Sequence, residues 1–482
     1  LDEIAAYVAR LERSVLRSVR FEVQTVRLEP GQAAPREQRA IDALLRSPAA
    51  GPQLMLVAFE RQRVSAMSGR QVAYVGDYDT SVAQESTISD PMVGVANLGL
   101  LVDVRAEPRG KDGQWLAHTW LRLADLQSMR TITAGEGRSL EVPAFATAAL
   151  HTMAQLDAGK WTLAGASGAW AFYLRARPLP YAPDSGASAN LPAFGPPRGA
   201  FVLRMVGVED LATAPLWSVA NEPYHLMPSA FTPPEPPELR EPAPYLSPSM
   251  LVNLLRHMGG GSRWEDPTTM EVRNGQMIVR ADEGTHAGVA ASRAALRRQL
   301  VWRLETHVEL VDAPTDFAAA LTAAPSLDGP LVAALKTARR EGQVHTVAQA
   351  TVSHRRMTRT TTQEGSHRLY LQDYAAEIAQ DAAIGNPVVM SLFSGLTVDL
   401  LGHLTSRGDA AALEVRFTHT QLHEPMRSLQ TPLGPIELPA LDVLRVRTSF
   451  VAPLDKTLAF AAVGEGGRRR VLLLTPRLVP SR

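Results

Sequence analysis

The stretch from Gly69 to Val104 recurs 296 residues later, from Gly365 to Leu400, and no other feature limits the possible folds so tightly. Thirteen of the 36 aligned positions are identical, where roughly two or three would arise by chance. The pairs Gly69/Gly365, Tyr74/Tyr370, Asp77/Asp373, Tyr78/Tyr374, Pro91/Pro387, Gly99/Gly395 and Asp103/Asp399 form a structural repeat signature. An earlier unit recurs too, at a slightly shorter offset. An amphipathic helix over 2–18, with Ile4, Leu11 and Val15, is matched by Val289, Leu296 and Leu300. Alternating strands follow in each copy, Val19–Gln24 and Trp302–Val308. The offset therefore grows, which places about eleven extra residues in the second copy between its first strand and Gly365.

Past the signature, each copy has an apolar strand, Leu100–Val104 and Leu396–Leu400, then a hairpin turn at Asp112-Gly113 or Gly408-Asp409. Leu413, Val415 and Phe417 alternate with Glu414, Arg416 and Thr418, the pattern of a half-buried antiparallel strand. Pro143 and Pro439 are each expected to end a strand. Each copy is expected to close on a turn and an apolar strand, 157–163 and 470–474. Asp77 and Asp373 are expected to accept backbone hydrogen bonds in a turn, and the tyrosines to pack on a sheet.

The fold class is α+β: two mainly antiparallel β repeats plus a small βαββα-like module. The first repeat is expected to span 1–177, with its leading helix expected to be the end of a further N-terminal module. Residues 178–245 are a Pro-rich linker and connecting segment, with Pro233-Pro234-Glu235-Pro236-Pro237 barred from helix interiors and central strands. Residues 246–300 form the module. It comprises a helix with Leu251, Leu254, Leu255 and Met258, a stop at Gly259–Gly261, and a hairpin about Asn274-Gly275. A second helix, capped by Thr285, completes it. The second repeat spans 301–482.

Chemistry is sparse. The chain has no cysteine, which excludes disulfides, thiolate metal sites and cysteine nucleophiles. Its 49 basic and 49 acidic residues give no net charge, against a phosphate-neutralising nucleic-acid binder. The clusters Arg297-Arg298, Arg339-Arg340 and Arg468–Arg470 read as solvated faces. His419 and His423 have ligand spacing but lack the glutamate of a zincin. Gly165-Ala166-Ser167-Gly168 falls short of a nucleophile elbow, His257–Gly261 reads as a helix stop, and Arg407-Gly408-Asp409 as a turn. No catalytic residue, metal site or cofactor is expected, and a hydrolase using His419 or His423 ranks last.

The order of these pieces, seen twice, resembles the bacterial secretin family, whose members form homo-oligomeric channels in the outer membrane. Arg303–Val311 is similar to the strand that opens the secretin core, and Ser68–Tyr74 to the Asn-Gly-Gln-Ala-like segment. Gly99 and Gly395 match the glycine before the central apolar strand, Asp157–Gly165 the closing glycine feature, and Leu474-Thr475-Pro476-Arg477 the final motif. The module at 246–300 is similar to the family's ring-building domains.

The resemblance implies a non-enzymatic envelope protein, periplasmic or outer-membrane-associated, whose main partner is itself. Other envelope or secretion-system proteins are further partners, and nucleic acid is not. About two dozen residues separate Tyr74 from Gly99, where the family carries its gate and membrane-crossing hairpins. Glu414, Arg416, Arg303 and Glu305 also charge the polar faces of the clearest strands. The expectation is a soluble ring or scaffold without a transmembrane barrel of its own. The alternative from another class is a monomeric or dimeric two-lobed binding module on a Pro-rich tether.

Overall fold

The computed structural model describes residues 17–82, 87–109, 113–133, 138–179, 202–207, 247–258, 269–273, 276–300, 302–355, 359–379, 382–405, 408–465 and 467–480. The expected helix over 2–18, the Pro-rich run, Gly259–Gly261, Asn274-Gly275, Asp112 and Arg407 lie outside these residues, save for Arg17 and Ser18.

The first half runs β1 (Ser18–Arg27), α1 (Gln38–Leu45), β2 (Ala50–Phe59), β3 (Arg63–Val82), β4 (Thr87–Pro108), β5 (Gln114–Thr133), β6 (Ser139–Asp157), β7 (Trp161–Ser167) and β8 (Trp170–Leu179). The middle holds β9 (Val202–Gly207), α2 (Pro248–Met258), β10 (Thr269–Arg273), β11 (Gln276–Ala281) and α3 (Glu283–Leu300). The second half runs β12 (Trp302–Pro314), α4 (Thr315–Ala323), α5 (Gly329–Arg340), β13 (His345–Arg355), β14 (Thr360–Ala379) and β15 (Ala382–Leu404). It ends with β16 (Ala410–Leu422), β17 (Arg427–Thr431), β18 (Gly434–Leu438), β19 (Ala440–Pro453), β20 (Leu458–Glu465) and β21 (Arg468–Pro480). The chain is mostly antiparallel sheet with five short helices among the described residues.

Two eight-stranded sheets dominate. One has the order β13-β12-β21-β20-β2-β1-β8-β7, the other β14-β15-β16-β19-β3-β4-β5-β6. They share a continuous apolar core, in which Phe21, Leu56 and Leu474 of the first meet Val102, Trp115, Phe417 and Phe450 of the second. On the far side of the first sheet, α1 packs on β1 and β7, and α4 on β12, β20 and β21. Strand β1 is therefore buried on both faces. Val19, Phe21 and Val23 join the core, while Arg20 reaches the carbonyls of Ala323 and Ala324 at the end of α4.

The second sheet contains the long strands. β3, β4, β5, β6, β14 and β15 run from 19 to 23 residues, about twice the upper range usual for a strand. The expectation that the Tyr74–Gly99 interval is too short for extended hairpins therefore needs correction. The interval holds the outer arms of the β3–β4 pair, Tyr74–Val82 and Thr87–Gly99, each about as long as an ordinary strand or longer.

Several sequence-based expectations differ from the fold. The extra residues of the second half make room for α5, since one helix joins β1 to β2 but two join β12 to β13. Asp328 caps α5 by accepting from the Leu331 amide at 3.0 Å. Pro143 does not end its strand. β6 runs through it, tolerated because β6 is a sheet edge and needs no donor on its outer side. Residues 161–163 and 470–474 are not counterparts. The former lie in β7 at a sheet end, whereas β21 pairs with β12 as β8 pairs with β1. Strand β8 escaped the reading because Ala171–Leu174 are all buried, which erases alternation.

In the middle module, β9 pairs with β11 beside the β10–β11 hairpin, so the segment 178–245 contains a strand. Leu251, Leu255, Met277, Val279 and Val289 form its separate core, while Leu254 is exposed. The cap of α3 is Asp282 rather than Thr285, whose amide and hydroxyl both donate to the Asp282 carboxylate.

Candidate functional site: an internal seam and two open edges

The signature residues gather where each long four-stranded unit splits into two hairpins. β4 pairs with β5 from Pro108 only as far as Gly99, and β15 with β16 from Leu404 only as far as Gly395. Beyond these glycines β3–β4 separates from β5–β6. Gly69 faces Gly99 across the ladder, and Gly365 faces Gly395. Gly99 has φ +102°, and a Cβ on Gly69 would lie 1.8 Å from the Leu98 carbonyl oxygen, so the backbones approach too closely for any side chain.

A β-bulge follows in both units, between Val75 and Asp77 and between Leu371 and Asp373. Asp77 and Asp373 lie at this bulge, not in a turn; each accepts the next tyrosine's amide at 2.8 Å. The bulge releases one amide from the ladder, and a glutamate from the other hairpin takes it. Glu141 accepts from Val75 at 3.2 Å and Glu437 from Leu371 at 2.9 Å. The Tyr78 hydroxyl donates to the Ser139 carbonyl, and that of Tyr374 to Pro435. The split hairpins thus fold back on one another, fastened at two points in each unit. Pro91 and Pro387 are the cross-strand partners of these tyrosines. At the base, Arg63 pairs with Asp103 at 2.8 Å and Arg359 with Asp399 at 3.0 Å. Tyr74 lies against Gly94, whereas Tyr370 is buried beside Leu392, Leu441 and Val443, which pushes its hydroxyl up to about 12.

The two halves join head to tail in both sheets. β19 pairs with β3 from Ala440↔Val72 to Arg447↔Ser65, and β20 with β2 from Ala461↔Leu56 to Gly464↔Gln53. The Ala73 amide continues the seam by donating to Pro439 O at 3.1 Å. Arg427 crosses it, donating to both oxygens of buried Glu141 and to the Ala73 carbonyl. Asp442 collects Arg70 at 3.1 Å and His423 at 2.9 Å, and these bonds hold its carboxyl below the usual range against the effect of burial. Farther out, the Asp373 carboxyl lies beside Asp90 of the first half; burial, then Asp90, raises it to about 7.

Because the join is head to tail, it consumes unlike edges and leaves unlike edges. β6 and β7 end the sheets on one side and β13 and β14 on the other, without partner strands among the described residues. Phe145 on β6 is 41 % exposed, and its counterpart in the second repeat, Leu441, is 0 % exposed. Leu369 on β14 is 65 % exposed, and its counterpart Ala73 is 1 % exposed. From Val142 to Leu156, β6 has no Asp, Glu, Lys or Arg, although edge strands are ordinarily guarded by charge.

No group of three or more His, Asp or Glu side chains is placed to hold a metal among the described residues. His419 is buried and driven down to about 4, chiefly by desolvation, while His423 is engaged by Asp442. Ser167 sits in the β7–β8 hairpin, opposite Trp170. Sequence reasoning missed Glu141, Glu437 and Arg427. The available signal was that the two glutamates hold equivalent places in the repeats, in register with the glycine and tyrosine signature.

No family model matches this sequence, and no curated protein does. Among solved structures it is similar to the enterotoxigenic Escherichia coli pilotin–secretin complex AspS–GspD, at 9 % identity over 49 % of this chain and 61 % of that one, with a TM-score of 0.25. The Klebsiella pneumoniae type II secretion outer-membrane complex matches at 11 % identity over 45 % of this chain and 47 % of that one, TM-score 0.24. The secretin-domain β-barrel of InvG from a Salmonella injectisome matches at 11 % over 59 % and 90 %, TM-score 0.25. The chain thus spans about three-fifths and about half of the first two. The likeness is of fold alone, weak at these TM-scores, and says nothing of function.

Proposed function

We propose that this protein is a non-enzymatic, secretin-like scaffold of the bacterial envelope that assembles with copies of itself into a ring. Each chain supplies two repeats, 1–177 and 301–482, and a ring-building module at 246–300 that follows the connecting segment 178–245. The observation that carries this reading is the head-to-tail seam: a heterologous joint repeated between chains closes into a ring when its rotation permits. The order of secretin-like motifs along both halves points the same way, and makes other envelope or secretion-system proteins its further partners.

Moving each side of the seam to its counterpart in the other repeat gives the intermolecular form. Where Asp442 meets Arg70 inside the chain, Ala146 of one copy meets Ser366 of the next. Because the chain has no cysteine, the pair Ala146→Cys with Ser366→Cys should yield an oxidised ladder of multimers. The pair Ala146→Cys with Thr362→Cys, four residues out of register, should not. A particle that stays monomeric by light scattering at micromolar concentration would sink the ring reading. Multimers without the ladder would sink only this register.

The ring is proposed as soluble, without a transmembrane barrel of its own. No helix is long and apolar enough to cross a membrane among the described residues, which leaves strands to decide. Arg122, Asp125 and Arg130 are exposed along β5, where a lipid-facing band would be apolar. Extraction only with detergent would overturn this part. A two-lobed module gripping a ligand fits less well, since both sheets and one core run unbroken across the junction of the halves.

A further inference from the structure

On the helix-facing side of the first sheet, at the junction of the halves, lies a cavity of about 350 Å³. Its walls carry four arginines, Arg20, Arg175, Arg177 and Arg469, against one carboxylate, Glu22. Arg175 donates to Glu22 and stacks 4.3 Å over the Trp161 ring, and Arg177 approaches Glu22 at 3.7 Å. Arg20, only 3 % exposed, spends its terminal nitrogens on the carbonyls of Ala323 and Ala324 at the end of α4. The buried Nε–H groups of Arg20, Arg175 and Arg177 find no acceptor in the protein. The Arg469 side chain forms no hydrogen bond or ion-pair contact among the described residues, although the fields of Glu22 and Asp316 reach it. The run Arg468–Arg470 is thus not a uniformly solvated face. Arg468 pairs with Asp312 at 2.7 Å, and Arg469 lines the cavity.

Burial holds Arg20 and Arg469 below the ordinary arginine value, the sign of cations confined without enough counter-charge. Donors left unpaired in a buried site are costly unless water or a ligand completes them. We propose that this cavity binds a small phosphate-bearing anion, held between the two halves by Arg20, Arg175, Arg177 and Arg469. Guanidinium forks arriving from several strands suit a tetrahedral oxyanion carrying about two charges. The volume equals that of about ten waters, more than a bare phosphate needs, and Leu45, Met55 and Trp161 supply an apolar wall for an organic remainder. The second half offers no equivalent, since Glu305 and His307 occupy the places that Arg20 and Glu22 hold in the first repeat. One site per chain follows.

The test titrates the full chain with inorganic phosphate, and separately with vesicles containing anionic phospholipid, against chloride of equal ionic strength. Calorimetry should show one site per chain, and saturation should raise the melting temperature by about 2 °C or more. Arg469→Gln should weaken binding at least about tenfold, yet leave the unliganded protein as stable or more so, because a like charge is removed. Arg340→Gln, the same charge change on the exposed end of α5, should bind as wild type. Binding of phosphate identifies a free anion, and binding of vesicles alone identifies a lipid headgroup. If neither binds, or Arg469→Gln and Arg340→Gln bind alike, the inference is overturned.

Discussion

Strands β19 and β6 hold corresponding places in the two halves, and their outer edges could hardly differ more. β19 meets β3 with Asp442, Arg445 and Arg447 along its length, within a seam that also holds the Arg427–Glu141 pair. β6 offers Val142, Phe145 and Met153 to solvent, with no formal charge between Val142 and Leu156. The edge already satisfied inside one chain carries the ions, and the open edge carries the apolar side chains. An ion pair fixes register once covalent connection has supplied proximity, whereas a joint between separate chains must gain its free energy from burial.

Substitution at paired positions gives the sharpest break in this comparison. Leu441→Arg places an unpaired charge in a sealed site and should cost more than about 4 kcal/mol, seen as loss of the cooperative urea transition. Phe417→Arg, equally buried, should do the same. Phe145→Arg should leave single-chain stability within about 0.5 kcal/mol but reduce the assembled particle to monomers in light scattering. If Phe145→Arg unfolds the chain, the edge is not free.

The seam's ion pair comes next. Arg427→Ala strands Glu141, whose side chain is almost wholly buried, and should cost about 2–3 kcal/mol, at the low end because Arg427 itself is half exposed. Glu437→Gln keeps an acceptor for the Leu371 amide and should cost less than about 1 kcal/mol. Equal losses in urea unfolding would mean that Arg427 adds nothing to the first-half glutamate.

A smaller effect depends on pH. Asp373 is raised from 3.8 to about 7 by burial and by Asp90, with Asp79 adding to the field on Asp90. Its raised value favours the folded state fully below about 3.8, and that contribution is lost as pH rises to about 7. Relative to Asp373→Asn, wild type should therefore lose stability between about pH 4 and pH 7, and the two curves should run parallel above about pH 8. His354 and His419, held near 4 by burial, weaken the fold as pH falls below 6.5 in both proteins alike. Parallel urea midpoints across the whole range would refute the raised Asp373 carboxyl. Smallest of all, Arg70→Ala should shift stability by less than about 1 kcal/mol, and by less still in high salt.

Much of the local structure was legible. The duplication fixed which residues repeat. Alternation from Leu413 to Thr418 marked a half-buried strand, whose Val415 and Phe417 are sealed in the core. Turn chemistry marked the joints between β4 and β5 and between β15 and β16, where Gly113 and Gly408 adopt positive φ. Period and turn preference are properties of neighbouring residues, so a linear reading can reach them. Strand β8 shows the limit, because burial on both faces removes the alternation that would reveal it.

What only the tertiary structure decided is which edges are used. Arg427 meets Glu141 across 286 positions of chain, and Arg20 and Arg469 line one cavity from opposite ends of the sequence. Both depend on β19 choosing β3 and β20 choosing β2, and nothing in the period of any strand states that choice. By itself the sequence determined that Gly69–Val104 recurs at Gly365–Leu400 and which strands alternate. Pairing between distant edges is set by how two sheets share one core, a property of the whole packed arrangement rather than of any segment within it.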